Sequence, residues 1–117
     1  MSKFQRNSAH LEAVGEGRFR VSGVLDASTV TSLLQRSTAA FGGLSTVAVD
    51  FSAVTESDSA GLALLLEWLR LARKAGRRLT YEEVPEQIVA LARISEVEDL
   101  LLENGGAAAQ AAAPASA

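Results

Sequence analysis

The chain contains no cysteine, so it offers neither a disulfide framework nor a thiolate metal site. Its one histidine, His10, lies near the start, and multi-histidine metal ligation is excluded. Aromatic residues make up only 5% of the chain. Basic stretches interleaved with aromatics or glycines, the usual surface for nucleic acid, are absent. Charge of neither sign dominates: the formal net charge is −3, which gives no overall pull toward nucleic acid or anionic lipid. Long apolar runs are also missing. Leu62 to Leu66 is the most apolar stretch, far too short to span a bilayer, and Arg70 and Arg73 follow it. The first eight residues hold no apolar segment of signal-peptide length. The expectation is a soluble cytoplasmic protein, tied to a membrane only through a partner.

What is present fits one ordinary domain. The chain has 117 residues, 48% apolar and 21% charged, enough to bury a core without staples. Segment 10–14 is a weak strand candidate and Arg18–Leu25 a better one, with Phe19, Val21 and Leu25 on one face. Gly15-Glu16-Gly17 between them reads as a hairpin turn. Asp26 or Ser28 is placed to cap a helix carrying Val30, Leu33 and Leu34 that ends near Phe41-Gly-Gly43. Thr46–Phe51 is apolar on both faces until Asp50, the pattern of a central strand covered on both sides or paired in parallel. A second helix runs from Ser59 to Ala75, with Gly76 as its C′ residue. Arg78–Glu83 is a fourth strand, and Pro85 opens a third helix with Ile88, Leu91 and Ala92 in a stripe. Residues 94–102 are compatible with a short helix or with a strand and turn. The order β-β-α-β-α-β-α implies an α/β fold, a small mixed sheet of about four strands flanked by three or four helices. Residues 8–103 form this domain, residues 1–7 a flexible N-terminus, and residues 104–117 an Ala-rich tail with nothing large to bury, expected to be disordered.

The most informative stretch runs from Val47 to Leu62. It reads as an apolar strand, then a short loop, then Asp58-Ser59 at the start of a helix. Unpaired backbone N–H groups and the helix dipole at that point favour an anion. Two readings apply to Asp58-Ser59. Either it is an N-cap contributing about 1 kcal/mol, or Ser59 is displayed for a partner or a kinase. Phosphate on Ser59 would add nearly two negative charges beside Asp58 and Glu56. The second helix carries Glu67, Arg70 and Lys74 on a narrow polar side. Leu62, Leu65, Leu66 and Leu69 form one apolar stripe, and Leu64, Trp68 and Leu71 another. That arc exceeds half the circumference. Either neighbouring helices cover the excess or it forms an exposed patch around the only tryptophan. The cluster Arg70, Arg73, Lys74, Arg77, Arg78 is accounted for by the carboxyl end of the helix dipole. Asp50, Glu56 and Asp58 gather three carboxylates with no lysine, histidine or phosphate loop nearby to complete a catalytic or Mg²⁺ site, so turn and loop capping is the simpler role. His10 is assigned no role.

Three signatures together resemble the STAS family, the sulfate-transporter and anti-sigma-factor-antagonist domains. Gly23-Val-Leu-Asp26 is similar to the family's Gly-Glu-Leu-Asp, with Val24 in place of the usual acidic residue. Val49-Asp-Phe-Ser52 is similar to its Leu-Asp-Leu-Ser, and Asp58-Ser-Ala-Gly-Leu62 to its Asp-Ser-Ser-Gly-Leu. Within the family, Asp58 to Gly76 most resembles the STAS subunits of bacterial phospholipid-transport ABC complexes. That resemblance implies a non-enzymatic accessory subunit, peripheral to the inner membrane, that binds and supports the ABC ATPase of a complex maintaining outer-membrane lipid asymmetry. It implies no cofactor, no metal, no nucleic acid, no direct membrane insertion and no small-molecule substrate of its own. Ser59 is then the docking residue and candidate phosphosite, and Asp58, Ala60, Gly61, Leu64, Glu67, Trp68 and Leu71 form the partner-binding surface. The family's alternative is an anti-sigma-factor antagonist switched by phosphorylation of Ser59; Ala60 departs from the Ser or Thr frequent there.

Overall fold

The computed structural model describes residues 7–105. The expected flexible start (1–7) and disordered tail (104–117) lie outside the described residues except at Asn7 and at residues 104–105, which belong to α4. Strands β1 (Ala9–Gly15) and β2 (Arg18–Leu25) are followed by helix α1 (Val30–Phe41), strand β3 (Thr46–Ser57) and helix α2 (Ser59–Ala75). Strand β4 (Arg78–Glu82) and helices α3 (Glu86–Ile94) and α4 (Glu98–Gly105) complete the order. The sheet order is β1-β2-β3-β4. β1 is antiparallel to β2, while β2, β3 and β4 run parallel.

Each crossover steps to the next strand in one direction, and crossovers share one hand, so the helices gather on one face of the sheet. Phe19, Val21, Leu25, Val47, Val49, Phe51, Leu79 and Tyr81 point into that face and are buried. The opposite face is open and polar. Arg20 reaches Asp50 at 3.4 Å, and Arg18 crosses to Glu82 at 2.7 Å. β3 is therefore central and parallel on both sides, as its sequence implied, but it is covered on one face only. Ala48 and Asp50, which alternate with Val47, Val49 and Phe51, sit half-exposed on the other.

β3 also runs six residues beyond Phe51. Asp50 does not end it. Its carboxylate accepts hydrogen bonds from the Ser52 backbone N–H at 3.0 Å and the Ser52 hydroxyl at 2.9 Å, and the register with β2 slips there and again beyond Gly23. An acidic residue that bonds two positions ahead produces a bulge, not a stop. The short loop expected before Asp58 is thus strand, and strand passes directly into helix.

α2 is the central helix of the layer, touching α1, α3, α4 and β4. Trp68 lies in a line of aromatic rings, 5.5 Å from Phe41 and 6.4 Å from Phe51 between centroids. Both buried polar tips are satisfied: Trp68 Nε1–H donates to Ser37 Oγ at 2.8 Å, and Tyr81 Oη–H to the Leu65 carbonyl at 2.6 Å. α2 ends as expected at Gly76, left-handed at φ 69°, with the Arg77 N–H bonded to the Ala72 carbonyl at 2.8 Å. Of the two expectations for residues 94–102, the helix is what forms. α3 stops at Ile94, Glu96 turns the chain at φ 61°, and α4 begins at Glu98.

Candidate functional site

The corner between β3 and α2 is built on Asp58. Its backbone N–H donates to the Leu25 carbonyl at 3.1 Å, tying the corner to the end of β2. Its side chain accepts from the Ala60 N–H at 2.8 Å, and its carbonyl accepts from Gly61 at 2.9 Å and Leu62 at 3.4 Å. Asp58, not Ser59, is therefore the N-cap. Ser59 is the first helical residue, exposed, with a hydroxyl that no capping role consumes. Gly61 is buried directly beneath. A Cβ there would lie 3.1 Å from Leu25 Cβ and 3.2 Å from Ile88 Cδ1, so the absence of a side chain lets α2 enter against β2 and α3.

A second motif arrives at the same edge. Gly23 adopts φ 96°, and a Cβ there would strike the Ser8 carbonyl, which accepts from the Val24 N–H at 3.0 Å. The chain then reaches Asp26, whose carboxylate accepts from Ser28 N–H at 2.9 Å, Ser28 Oγ at 2.6 Å and Asn7 Nδ2 at 2.7 Å. The Ser28 hydroxyl, with Asn7 behind it, holds this carboxyl below the usual carboxylate range. Neither Asp26 nor Ser28 caps α1. The N-cap is Thr29, whose hydroxyl instead donates back to the Val24 carbonyl at 2.8 Å. Because β2 and β3 run parallel, Asp26 and Asp58 end side by side, and with Glu56 they line a recess of about 140 Å³. Among the described residues no cation lines that recess.

The sequence-predicted residues divide accordingly. Asp58, Ser59 and Ala60 form the corner, with Ser59 exposed and Ala60 half-buried. Glu67 and Leu71 flank the outer stripe of α2, and Arg70 grips Glu67 through two bonds of 3.0 and 2.7 Å. That pairing holds the Glu67 carboxyl below its ordinary range. Leu64 and Trp68 are only 4% and 2% exposed and belong to the core, as does Gly61, so the partner surface expected around the tryptophan is not there. α1, α3 and α4 cover the excess apolar arc. The grouping of Asp50 with Glu56 and Asp58 is likewise corrected. Asp50 sits on the open sheet face with Arg20, eight strand positions from the corner, and Asp26 takes its place. An anion is not what this corner suits. Asp58 and the helix start consume the Ala60, Gly61 and Leu62 N–H groups, and the surroundings are acidic.

A parallel β-α-β-α-β unit with an antiparallel leading strand, helices on one face and an Asp-Ser corner heading the central helix defines the STAS class of fold. The structure of the anti-sigma factor antagonist SpoIIAA in its unphosphorylated form has this fold: the TM-score is 0.61 at 20% identity, covering 77% of this chain and 82% of that one. The chain belongs to the STAS family, and the family model described as "Mlab, STAS domain" matches residues 9–103. It is 34% identical over 74 residues to the intermembrane phospholipid transport system binding protein MlaB of Escherichia coli strain K12, across 63% of this chain and 74% of that protein. The MlaB of Shigella flexneri matches with the same 34% identity over 74 residues. No helix among the described residues is long and apolar enough to cross a membrane.

Proposed function

We propose that this protein is a non-enzymatic accessory subunit of an Mla-type phospholipid-transport complex, docking on the complex's cytoplasmic ABC ATPase through the Ser59 corner and the outer stripe of α2. The observation that carries this reading is the exposed Ser59 hydroxyl. It is left free by an N-cap that Asp58 supplies alone, in a chain of the MlaB-type family. Ser59, Ala63, Arg70 and Lys74 share one helical face, with Ala60, Glu67 and Leu71 along one flank. A small hydroxyl residue on a fixed corner permits close approach of a partner backbone and a hydrogen bond to it. The recess formed by Asp26, Glu56 and Asp58 favours cationic groups on that partner.

Ser59→Asp tests this. In the free protein the new carboxylate is exposed and hydrated, and its repulsion from the neighbouring carboxylates is screened, so the melting temperature should move little. At an interface the same charge must be desolvated beside three carboxylates, and binding to the ATPase, measured by calorimetry, should weaken roughly tenfold or more. Unchanged affinity removes Ser59 from the interface. The family's other reading is a phosphorylation switch in transcriptional control. Pull-down of a soluble serine kinase with phosphate on Ser59, and of no transport ATPase, would favour it instead.

A further inference from the structure

Toward the carboxyl end of α2, far from Ser59, a second surface adjoins the outer stripe. The carboxyl ends of α1 and α2 and the start of β4 enclose a half-open groove of about 360 Å³. Phe41, Trp68, Leu71 and Leu79 form its apolar lining, and Lys74 and Arg77 stand at it with no carboxylate among the lining residues. Arg77 is held in place by its Nε–H, which donates to the Leu44 carbonyl at 3.0 Å. The ion pairs of the described residues join Arg18, Arg20, Arg70 and Arg93 to carboxylates and leave Lys74 and Arg77 out. The carboxyl end of α2 contributes about half a negative charge, which two full cations exceed. The groove thus combines an apolar floor with an unneutralised positive rim, within the size range of small-molecule sites. Its volume lies at the small end of the range for ligand sites and suits one acyl segment.

We propose that this groove binds a single-tailed anionic amphiphile, with the acyl chain along Leu71 and Ala75 above the nearly buried Trp68 and Leu79 and the anionic head between Lys74 and Arg77. The proposal goes beyond the docking reading. Leu71 and Lys74 belong both to this groove and to the outer stripe of α2, so binding is read on the free protein, where the ATPase plays no part.

Trp68 is the only tryptophan and lines the groove, so intrinsic fluorescence of the full chain reads occupancy directly. Laurate, titrated below its micelle concentration, should give a saturable change in emission, while dodecyltrimethylammonium, of equal chain length and opposite charge, should give none. Lys74 is exposed, so Lys74→Glu should fold normally and weaken laurate roughly fivefold. Leu71→Glu, which places a carboxylate on the chain's path, should abolish the signal. Lauroyl lysophosphatidylglycerol separates the two sources of such a ligand: tighter binding than laurate points to phospholipid breakdown, weaker binding to free fatty acid. Equal response to the cationic and anionic detergents would mean mere partitioning and overturn the proposal. So would a Lys74→Glu protein that binds laurate as the parent does. A response to an acidic amphipathic peptide with none to laurate would overturn it in favour of a protein segment.

Discussion

Ser37→Ala sets two effects of opposite sign against each other within one helix. Alanine is the better helix former by ~0.5 kcal/mol, so propensity alone predicts a more stable protein. The Ser37 hydroxyl, however, is the acceptor for the Trp68 indole N–H at 2.8 Å, and both residues are 2% exposed. Truncation leaves that donor buried and unpaired, which costs ~1–3 kcal/mol. The hydroxyl's own bond to the Leu34 carbonyl, 2.7 Å long, also disappears, but that loss removes donor and hydrogen together and is minor. The net is a destabilisation of ~1–2 kcal/mol. At ~4 °C per kcal/mol for a domain of this size, the melting temperature by circular dichroism should fall ~4–8 °C. The neighbouring Thr38→Ala is the control. Its hydroxyl is exposed and makes only a 3.3 Å contact to the same carbonyl, so propensity should win and the melting temperature should rise by ~2 °C. In a Trp68→Phe background the orphaned donor no longer exists, and Ser37→Ala should lose most of its cost. If Ser37→Ala and Thr38→Ala shift stability in the same direction, the indole bond is not what decides the α1–α2 contact.

Ser57 makes the opposite case: its hydroxyl is buried with no hydrogen-bond partner among the described residues, so Ser57→Ala should raise stability to urea by ~1 kcal/mol, and a loss would show the hydroxyl is satisfied in solution. At high pH, burial pushes the Tyr81 phenol well above its ordinary range. The folded state then keeps the proton that the unfolded chain releases near pH ~10, so stability is whole below pH ~10 and falls above it by up to ~1.4 kcal/mol per unit. Tyr81 is the only tyrosine and the lysines are just Lys3 and Lys74, so Tyr81→Phe should flatten that alkaline limb in pH-dependent denaturation. At low pH the sign reverses. The Ser52 backbone N–H holds the Asp50 carboxyl below its usual range, so its contribution is present above pH ~3.9 and fades as pH falls through the lowered value. Asp50→Asn should shrink that acid loss, and an unchanged acid limb would count against it.

Much of the fold was legible because one period dominated each segment. Phe19, Val21 and Leu25 alternate with Arg18, Arg20 and Ser22, and the sheet does bury one set and expose the other. Asp58 and Gly76 bracket α2 as cap chemistry requires. The failures share a cause, which is that a sequence does not show what lies across from it. Ala48 is small enough to suit a covered face or an open one, so β3 read either as covered on both sides or as paired in parallel, and the parallel pairing is what forms. Asp50 looks like a terminator until its carboxylate is seen holding Ser52 in a bulge. Asp26 read as a helix cap, although the Gly23-Val-Leu-Asp26 motif and the parallel β2–β3 pairing together place it beside Asp58. The groove at the carboxyl ends of α1 and α2 left no trace in the sequence at all, because α1, α2 and β4 each supply part of its lining.

The burial of Trp68 changes what the proposed docking must rest on. An exposed Leu/Trp stripe would have supplied binding through apolar area, and single polar changes at its rim would have cost little. With Leu64 and Trp68 committed to the core, the outer stripe of α2 is Ser59, Ala63, Glu67, Arg70 and Lys74, small or charged throughout, with Leu66 and Leu71 half-buried at its edges. Such a surface adds little hydrophobic free energy. Affinity and orientation must then come from close backbone approach at Ser59 and Ala63 and from charge, which makes binding sensitive to ionic strength. The Glu67–Arg70 pair bears on this too, since each of its groups already satisfies the other and a partner gains little by displacing either. Ser59 therefore stands out on this face for a structural reason: it is an exposed, uncharged polar group that neither caps the helix nor pairs with a neighbour, at the end of α2 where acidic residues concentrate.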